Sequence, residues 1–250
     1  MYNSKILLIF IILLLIFNFS KKEVNIERFK NDNSNCALLT ISVGNRSFLK
    51  YTKKNMERYA KKLGVKFIIV DNWLNKYNNP RFMKLDILHF YTKKYDRLIY
   101  LDDTVFITPN APNLFKVVSP QKIGAWKENY DLSKAISYYS KFDLHKFNNK
   151  SYTTVNSGVL VIPNKFSYIF NTKNYILKKI DLFYDQQFLS YQINKNNIDV
   201  FDIGIKFNCV SSKYLSNILN ENIYMYHITS SVKLNLVRNL MLRLLQNRYV

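Results

Sequence analysis

Apolar positions along the chain fall into two rhythms. Ala37-Leu38-Leu39-Thr40-Ile41-Ser42-Val43 is a continuous β-type run ending at Gly44, the pattern of a strand buried on both faces. Between 47 and 63, Phe48, Tyr51, Met56, Tyr59, Ala60 and Leu63 recur at helical spacing, and Gly64 stands at the helix-stop position. Residues 65–70 form a second apolar run closing at Asp71. The order strand, helix, strand predicts a parallel sheet with a right-handed crossover. A second helix is predicted over 81–94, with Phe82, Leu85, Leu88, His89 and Tyr91 on its inner face, and a third strand over 97–101. Later strands are predicted at 123–126, 158–162 and 199–203. The stretch 127–154 has no strong strand signal and reads as helices or loops over a substrate site. The aromatic residues of the 126–152 segment are expected to pack a core more than to stack on a sugar.

The amino terminus has a different character. Residues 6–17 are an uninterrupted apolar run, with Lys5 before it and Lys21-Lys22 after it. A membrane span takes about 20 apolar residues and a secretory core about 7–15. The run is short for a span, yet no small-x-small cleavage pattern surrounds Asn18-Phe19-Ser20. The expectation is an uncleaved signal anchor, with a cleaved signal peptide or a buried core helix as the alternatives. Residues 1–20 then form the targeting element, 21–35 a polar stem, and 36–250 one domain large enough to bury a core.

Composition narrows the function classes. Hydrophobic residues make up 48% and aromatics 16%, which excludes general disorder. A net charge of +20 points to anionic partners, but of the 37 cations only eight are Arg and 29 are scattered Lys. Proteins that read DNA lean on the planar fork of Arg. The excess accompanies heavy use of Asn, Ile and Tyr and reads as coding bias, with attraction to an anionic membrane or phosphate second and nucleic acid last. Cys36 and Cys209 suit neither a disulfide scaffold nor a four-ligand zinc site, and are either paired or two buried thiols.

Candidate chemistry concentrates after the third strand. Ligands of open α/β sheets gather outside strand carboxyl ends, where Asp102-Asp103-Thr104 stands. Adjacent carboxylates repel unless a cation sits near them. The pair is either a solvated strand end capping Thr104 or a Mg²⁺ or Mn²⁺ site that holds a diphosphate.

The context of this turn resembles glycosyltransferase family 8. Lys84-Leu85-Asp86, then Tyr95-Asp96-Arg97-Leu98-Ile99-Tyr100-Leu101-Asp102-Asp103, then Asn113-Leu114-Phe115 resemble that family's basic helix, its "yDrviylDaD" strand and its "xLF" helix. Further along, Asn156-Ser157-Gly158-Val159 resembles its "N-[AS]-G-V" strand, Asp185-Gln186 its "DQ" helix start, and the stretch from His227 to Lys233 its "H-x-x-G-x-x-K" terminus. The blocks keep the family's order over residues 37 to 233. The resemblance implies a GT-A-like α/β fold, with a mostly parallel central sheet flanked by helices. It also implies that Asp102, the position of Thr104, and His227 bind Mn²⁺ or Mg²⁺, and that Lys84 and Lys233 face the diphosphate. Asn156, Ser157, Asp185 and Gln186 would hold the donor sugar, Asp103 would lie by the nucleotide, and Thr40 would lie near its base. Asp185 and Lys233 would carry catalysis.

Two positions depart from the family pattern. Thr104 replaces the second carboxylate of D-x-D, which lowers the expected metal affinity, and Ser230 replaces a glycine. The expected reaction is glycosyl transfer from a nucleoside-diphosphate sugar, a uridine one by resemblance, to a glycan, protein or lipid hydroxyl with retention of configuration. The alternative is a catalytically silent nucleotide-sugar or glycan-binding protein on the same fold, which the Thr104 replacement favours. A membrane-tethered nucleic-acid binder is a third reading, against which the targeting run argues, so no nucleic-acid partner is expected. Likeness to Golgi-type enzymes places the domain in the lumen, single-pass and membrane-associated, or secreted if the leader is cleaved. The Leu-rich tail 232–245 is expected to pack as a final core helix, with a helix lying at a membrane surface as the alternative.

Overall fold

The computed structural model describes residues 35–43, 48–72, 80–143, 152–180, 184–210, 222–228 and 245. The apolar run at 6–17, most of the stem, Gly44, Ser230, Lys233 and most of the tail lie outside the described residues. Among the described residues no helix is long and apolar enough to cross a membrane.

In chain order the elements are β1 (Cys36–Ile41), α1 (Leu49–Leu63), β2 (Lys66–Val70), α2 (Pro80–Thr92), β3 (Arg97–Asp102) and β4 (Val105–Ile107). There follow α3 (Leu114–Val117), β5 (Ile123–Lys127), α4 (Ser133–Tyr139), β6 (Val155–Pro163), α5 (Tyr184–Lys195), β7 (Val200–Asp202), α6 (Gly204–Phe207), β8 (Cys209–Val210) and β9 (Met225–His227). Two 3-10 turns, Ser140–Phe142 and Asn164–Phe170, extend α4 and β6. The long predicted strands and helices appear within a few residues of their expected limits. The three-residue β4 and β9 and the two-residue β8 were not foreseen, because so few residues carry no periodicity.

The main sheet has the order β2-β1-β3-β6-β5-β7. β1 pairs parallel with both β2 and β3, β5 pairs parallel with β7, and β6 runs against β3 and β5. One reversed strand in six keeps the sheet mostly parallel. Its faces are separated by the period of two along each strand. Ala37, Leu39, Leu98, Tyr100, Leu160 and Ile162 pack with Phe82, Met83, Leu85, Ile87 and Leu88 of α2 and with α5. Their neighbours Leu38, Ile99, Leu101, Val159 and Val161 turn the other way, onto Met56, Tyr59, Ala60 and Leu63 of α1. This is why these strands read as unbroken apolar runs: both faces are covered.

The second sheet, β4-β9-β8, is what moves chemistry. β4 begins two residues after the acidic turn and pairs antiparallel with β9, setting Val105 opposite His227. The Ile228 N–H also donates to the Thr104 carbonyl at 3.1 Å. A residue 125 positions later is thereby stitched to the end of β3.

Much of the aromatic segment packs inward. Tyr139 is fully buried and stacks edge-on against Phe188 and Tyr175 at centroid distances of 5.2 and 6.2 Å. Asp143 anchors this cluster through Lys195, Tyr175 and Tyr191. Cys36 and Cys209 are separate buried thiols, and burial pushes Cys209 up to about 11. Leu245, the one described tail residue, is buried with Phe106, Tyr226 and Ile228.

Gly64 closes α1 in the left-handed region, φ 69°, with its N–H on the Ala60 and Lys61 carbonyls. A Cβ there meets the following carbonyl, so Gly64→Ala is expected to cost about 1–2 kcal/mol. Thermal unfolding should show a Tm lowered by about 2–4 °C per kcal/mol.

Candidate active site

The carboxyl end of β3 emerges between β1 and β6, and helices α2 and α5 approach it from one face of the sheet. Continuing the β3–β6 register one step beyond the Leu101–Val159 pair sets Gly158 beside Asp102. Asp102 is 29% exposed, while nearly everything around it is buried.

Lys84 reaches this point from α2. Its ammonium lies 3.1 Å from Asp102 Oδ1 and 3.0 Å from Asp185 Oδ2, and donates to Ser157 Oγ at 3.0 Å. The Ser157 hydroxyl donates to Asp185 Oδ2 at 2.8 Å. Tyr100 donates its hydroxyl to the same Asp102 Oδ1 and lays its ring under Lys84, 4.7 Å from centroid to ammonium. The other Asp102 oxygen faces His227 Nε2 at 3.2 Å. Two carboxylates, an ammonium and an imidazole therefore meet within one cluster.

The electrostatics follow from burial opposed by charge. Burial pushes the Asp102 carboxyl up, but the Lys84 ammonium, helped by the Tyr100 hydroxyl on Oδ1, outweighs it and holds the group well below the usual carboxylate range. Burial pulls Lys84 down, yet Asp102 and Asp185 together raise it above its ordinary value. Burial and then Asp102 push the Tyr100 hydroxyl well above its ordinary range, so it stays a donor.

The expected residues are not all brought together. Asp102, Lys84, Ser157, Asp185 and His227 come together. Gln186 borders them, its side-chain oxygen accepting from the Ser157 N–H at 3.2 Å. Asp103 and Asn156 are adjacent but engaged inside the protein. Asp103 is buried, with its carboxylate accepting from Ser42 Oγ at 3.2 Å and its carbonyl from Thr52 Oγ1 at 2.7 Å. The Asn156 carboxamide bonds Glu128, Asn208 and the Gly158 N–H. Thr40 lies fully buried in β1, beside Leu101 and Ile69, and its hydroxyl has no hydrogen-bond partner among the described residues. Thr104 is buried, and Lys233 lies outside the described residues.

Sequence reasoning missed Tyr100, Glu128 and Asn208. Tyr100 was hidden inside an apolar strand, and only its place two residues before Asp102, on the same face, marks it. Glu128 follows the end of β5, another strand carboxyl end, which was a usable signal. Asn208 sits in a short turn with no local mark.

A divalent cation is what the sequence resemblance implies here, and the donor set bears on whether it fits. Two cis ligands about 2.1 Å from a Mg²⁺-sized ion lie about 3 Å apart. Asp102 Oδ2 and His227 Nε2 meet that spacing, and Lys84 and Tyr100 occupy the opposite Asp102 oxygen. No group of three or more His, Cys, Asp or Glu is placed to hold a metal among the described residues. These two donors fit an ion that takes its remaining ligands from phosphate and water, as Mg²⁺ commonly does. A cleft of about 540 Å³ lies elsewhere, lined by Lys134, Tyr138, Lys141, Lys178 and Lys179 among others, with no carboxylate or imidazole.

Two outcomes are expected. Lys84→Met leaves Asp102 and Asp185 facing each other without their cation and should cost about 3 kcal/mol at pH 7, measured by urea unfolding. The depressed Asp102 contributes stability above about pH 4 that is lost as pH falls through its folded value, and the raised Lys84 contributes below about pH 10 and is lost as pH rises through its folded value. Lys84→Met should flatten both limbs of the stability profile. Separately, a Cβ built on Gly158 overlaps the Cε1 and Nδ1 atoms of His227. Gly158→Ala should therefore displace the imidazole, seen as changed His227 NMR shifts in a protein that still folds.

No protein-family model matches the sequence, and no curated protein matches it. Solved structures do share its fold. A glycosyltransferase involved in the glycosylation of the major capsid of PBCV-1 superimposes with a TM-score of 0.55 at 14% identity, over 84% of this chain and 98% of that one. The galactosyltransferase LgtC, in complex with donor and acceptor sugar analogs, superimposes at 0.53 and 13% identity, over 86% of this chain and 96% of that one. At these identities the likeness is one of fold, and the chain has the GT-A-like α/β architecture that these glycosyltransferases share.

Proposed function

We propose that the chain is a glycosyltransferase that takes a nucleoside-diphosphate sugar, a uridine one by resemblance, and transfers the sugar to an acceptor hydroxyl. The observation that carries this reading is the meeting of Asp102 and His227, 125 residues apart, at a β3 carboxyl end that Lys84 and Asp185 also reach. The fold shared with solved glycosyltransferases supports it.

The charges say what such a donor needs. Asp102 and Asp185 against Lys84 leave the cluster one negative charge in excess, which repels a diphosphate. Asp102 and His227 would hold a divalent cation, which would supply positive charge for binding the diphosphate and offsetting its departure. Lys84 holds both carboxylates in place and adds positive charge beside the leaving group. Asp185, fixed by Lys84 and Ser157, would contact hydroxyls next to the reacting sugar carbon, and retention is what the family resemblance implies. Lys233 would add a further cation. The apolar run at 6–17 would hold the domain at a membrane, in the lumenal orientation. The acceptor is a glycan, protein or lipid.

Thr104 favours a second reading, a silent nucleotide-sugar binder, because position 104 brings no carboxylate to stand with Asp102. Incubating the protein with a panel of nucleotide sugars, with Mn²⁺ or EDTA, separates the two. Transfer predicts nucleoside diphosphate release that requires Mn²⁺ and falls about 100-fold in Asp102→Asn and in His227→Ala. Thermal stabilisation without turnover selects the silent binder. Absence of both stabilisation and turnover across the panel removes the proposal.

A further inference from the structure

The groups that hold His227 form a chain of hydrogen bonds with one polarity. The Gly158 backbone N–H can only donate, and it meets Asn156 Oδ1 at 2.9 Å. That fixes the Asn156 carboxamide, whose Nδ2 points away and donates to Glu128 Oε2 at 3.2 Å. Asn208 approaches the same Asn156 Oδ1 at 2.9 Å, so the atom it presents is its donating Nδ2. Its Oδ1 is then left facing His227 Nδ1 at 2.9 Å. A carboxamide oxygen only accepts, so Nδ1 carries the proton. Glu128, Asn156, Asn208 and His227 are all buried, and solvent offers none of them an easy substitute partner.

The consequence falls on the other ring nitrogen. A neutral imidazole has one N–H, and with it on Nδ1 the Nε2 lone pair is aimed at Asp102 Oδ2, 3.2 Å away. Lone pair against carboxylate is repulsive unless a positive group stands there. We propose that Asn208 and Asn156, oriented by the Gly158 N–H, are positioning residues that hold the His227 proton on Nδ1 and present Nε2, beside Asp102, to a divalent cation. The cation half rests on the function proposed above, whereas the proton assignment does not. The inference also gives Asn156 a role other than the sugar contact implied by family resemblance, since both lone pairs of its Oδ1 are engaged inside the protein. Partners of this kind set the ring orientation and basicity of metal-binding histidines, and their loss costs about 10–100-fold in metal affinity.

The test reads the proton directly. Protein labelled with ¹⁵N-histidine is recorded metal-free at about pH 9, above the ordinary histidine range, with His89→Gln and His145→Gln used for assignment. The expected wild-type spectrum shows His227 protonated on Nδ1 and bare on Nε2. Asn208→Leu, which removes the acceptor, should lose that pattern. Mn²⁺ binding in the presence of UDP, followed by EPR, should weaken at least about 10-fold in Asn208→Leu and stay within about 2-fold in Glu128→Gln, whose amide oxygen still accepts. A wild-type proton on Nε2 overturns the relay, and this spectrum decides even if Asn208→Leu does not fold. Unchanged Mn²⁺ affinity in folded Asn208→Leu overturns the positioning role. If Nδ1 is protonated but the wild type binds no Mn²⁺ with UDP, the cation half falls while the proton assignment stands, and the nucleotide-sugar panel decides the glycosyltransferase reading separately.

Discussion

One buried ammonium holds the candidate site together. Asp102 comes from β3 and Asp185 from the first turn of α5, and in a poorly solvated cleft two such carboxylates would separate or take up protons. Lys84 lies between them at salt-bridge distance from each. Its position follows from α2, whose apolar side packs Phe82, Met83, Leu85, Ile87 and Leu88 onto the sheet, leaving Lys84 in the same turn aimed along the strand ends. Core packing and site electrostatics are therefore one constraint: the helix cannot shift without breaking the charge balance, and the charges cannot relax without moving the helix.

A steric constraint completes the arrangement. Gly158 has no side chain, and the His227 ring occupies the space a Cβ would take. The "N-S-G" block and the late histidine are thus two halves of a single contact. Asn156 supplies the far end of the hydrogen-bond chain that sets the imidazole, and Gly158 supplies both the N–H that orients Asn156 and the room for the ring. The β4–β9 pairing delivers His227 to that place from the carboxyl side of the domain.

The Thr104 replacement takes on a narrower meaning in this setting. Asp103 does not take over the missing carboxylate's part, because its own carboxylate is buried against Ser42. Among the described residues, the donors placed to hold a cation would be one oxygen and one nitrogen, and a phosphate-bearing ligand would have to complete the shell. Donor and cation would then bind as a unit, each incomplete without the other.

The sequence alone determined the layered α/β architecture. Unbroken apolar runs mark strands covered on both faces, helical spacing marks α1, and Gly64 marks its end, because these signals are local and repeat over several residues. It also placed Asp102, Lys84, Ser157, Asp185, Gln186 and His227 in one candidate site, through the order of short blocks rather than any single one. Only the tertiary structure decided which of those side chains touch and what supports them. Tyr100, Glu128 and Asn208 leave no periodic trace, and they act through single contacts between residues far apart in the chain: Asn208 lies 52 positions from Asn156 and 19 from His227. A hydrogen bond closed by folding depends on where two backbones are brought in space, and no pattern along one stretch of chain encodes it.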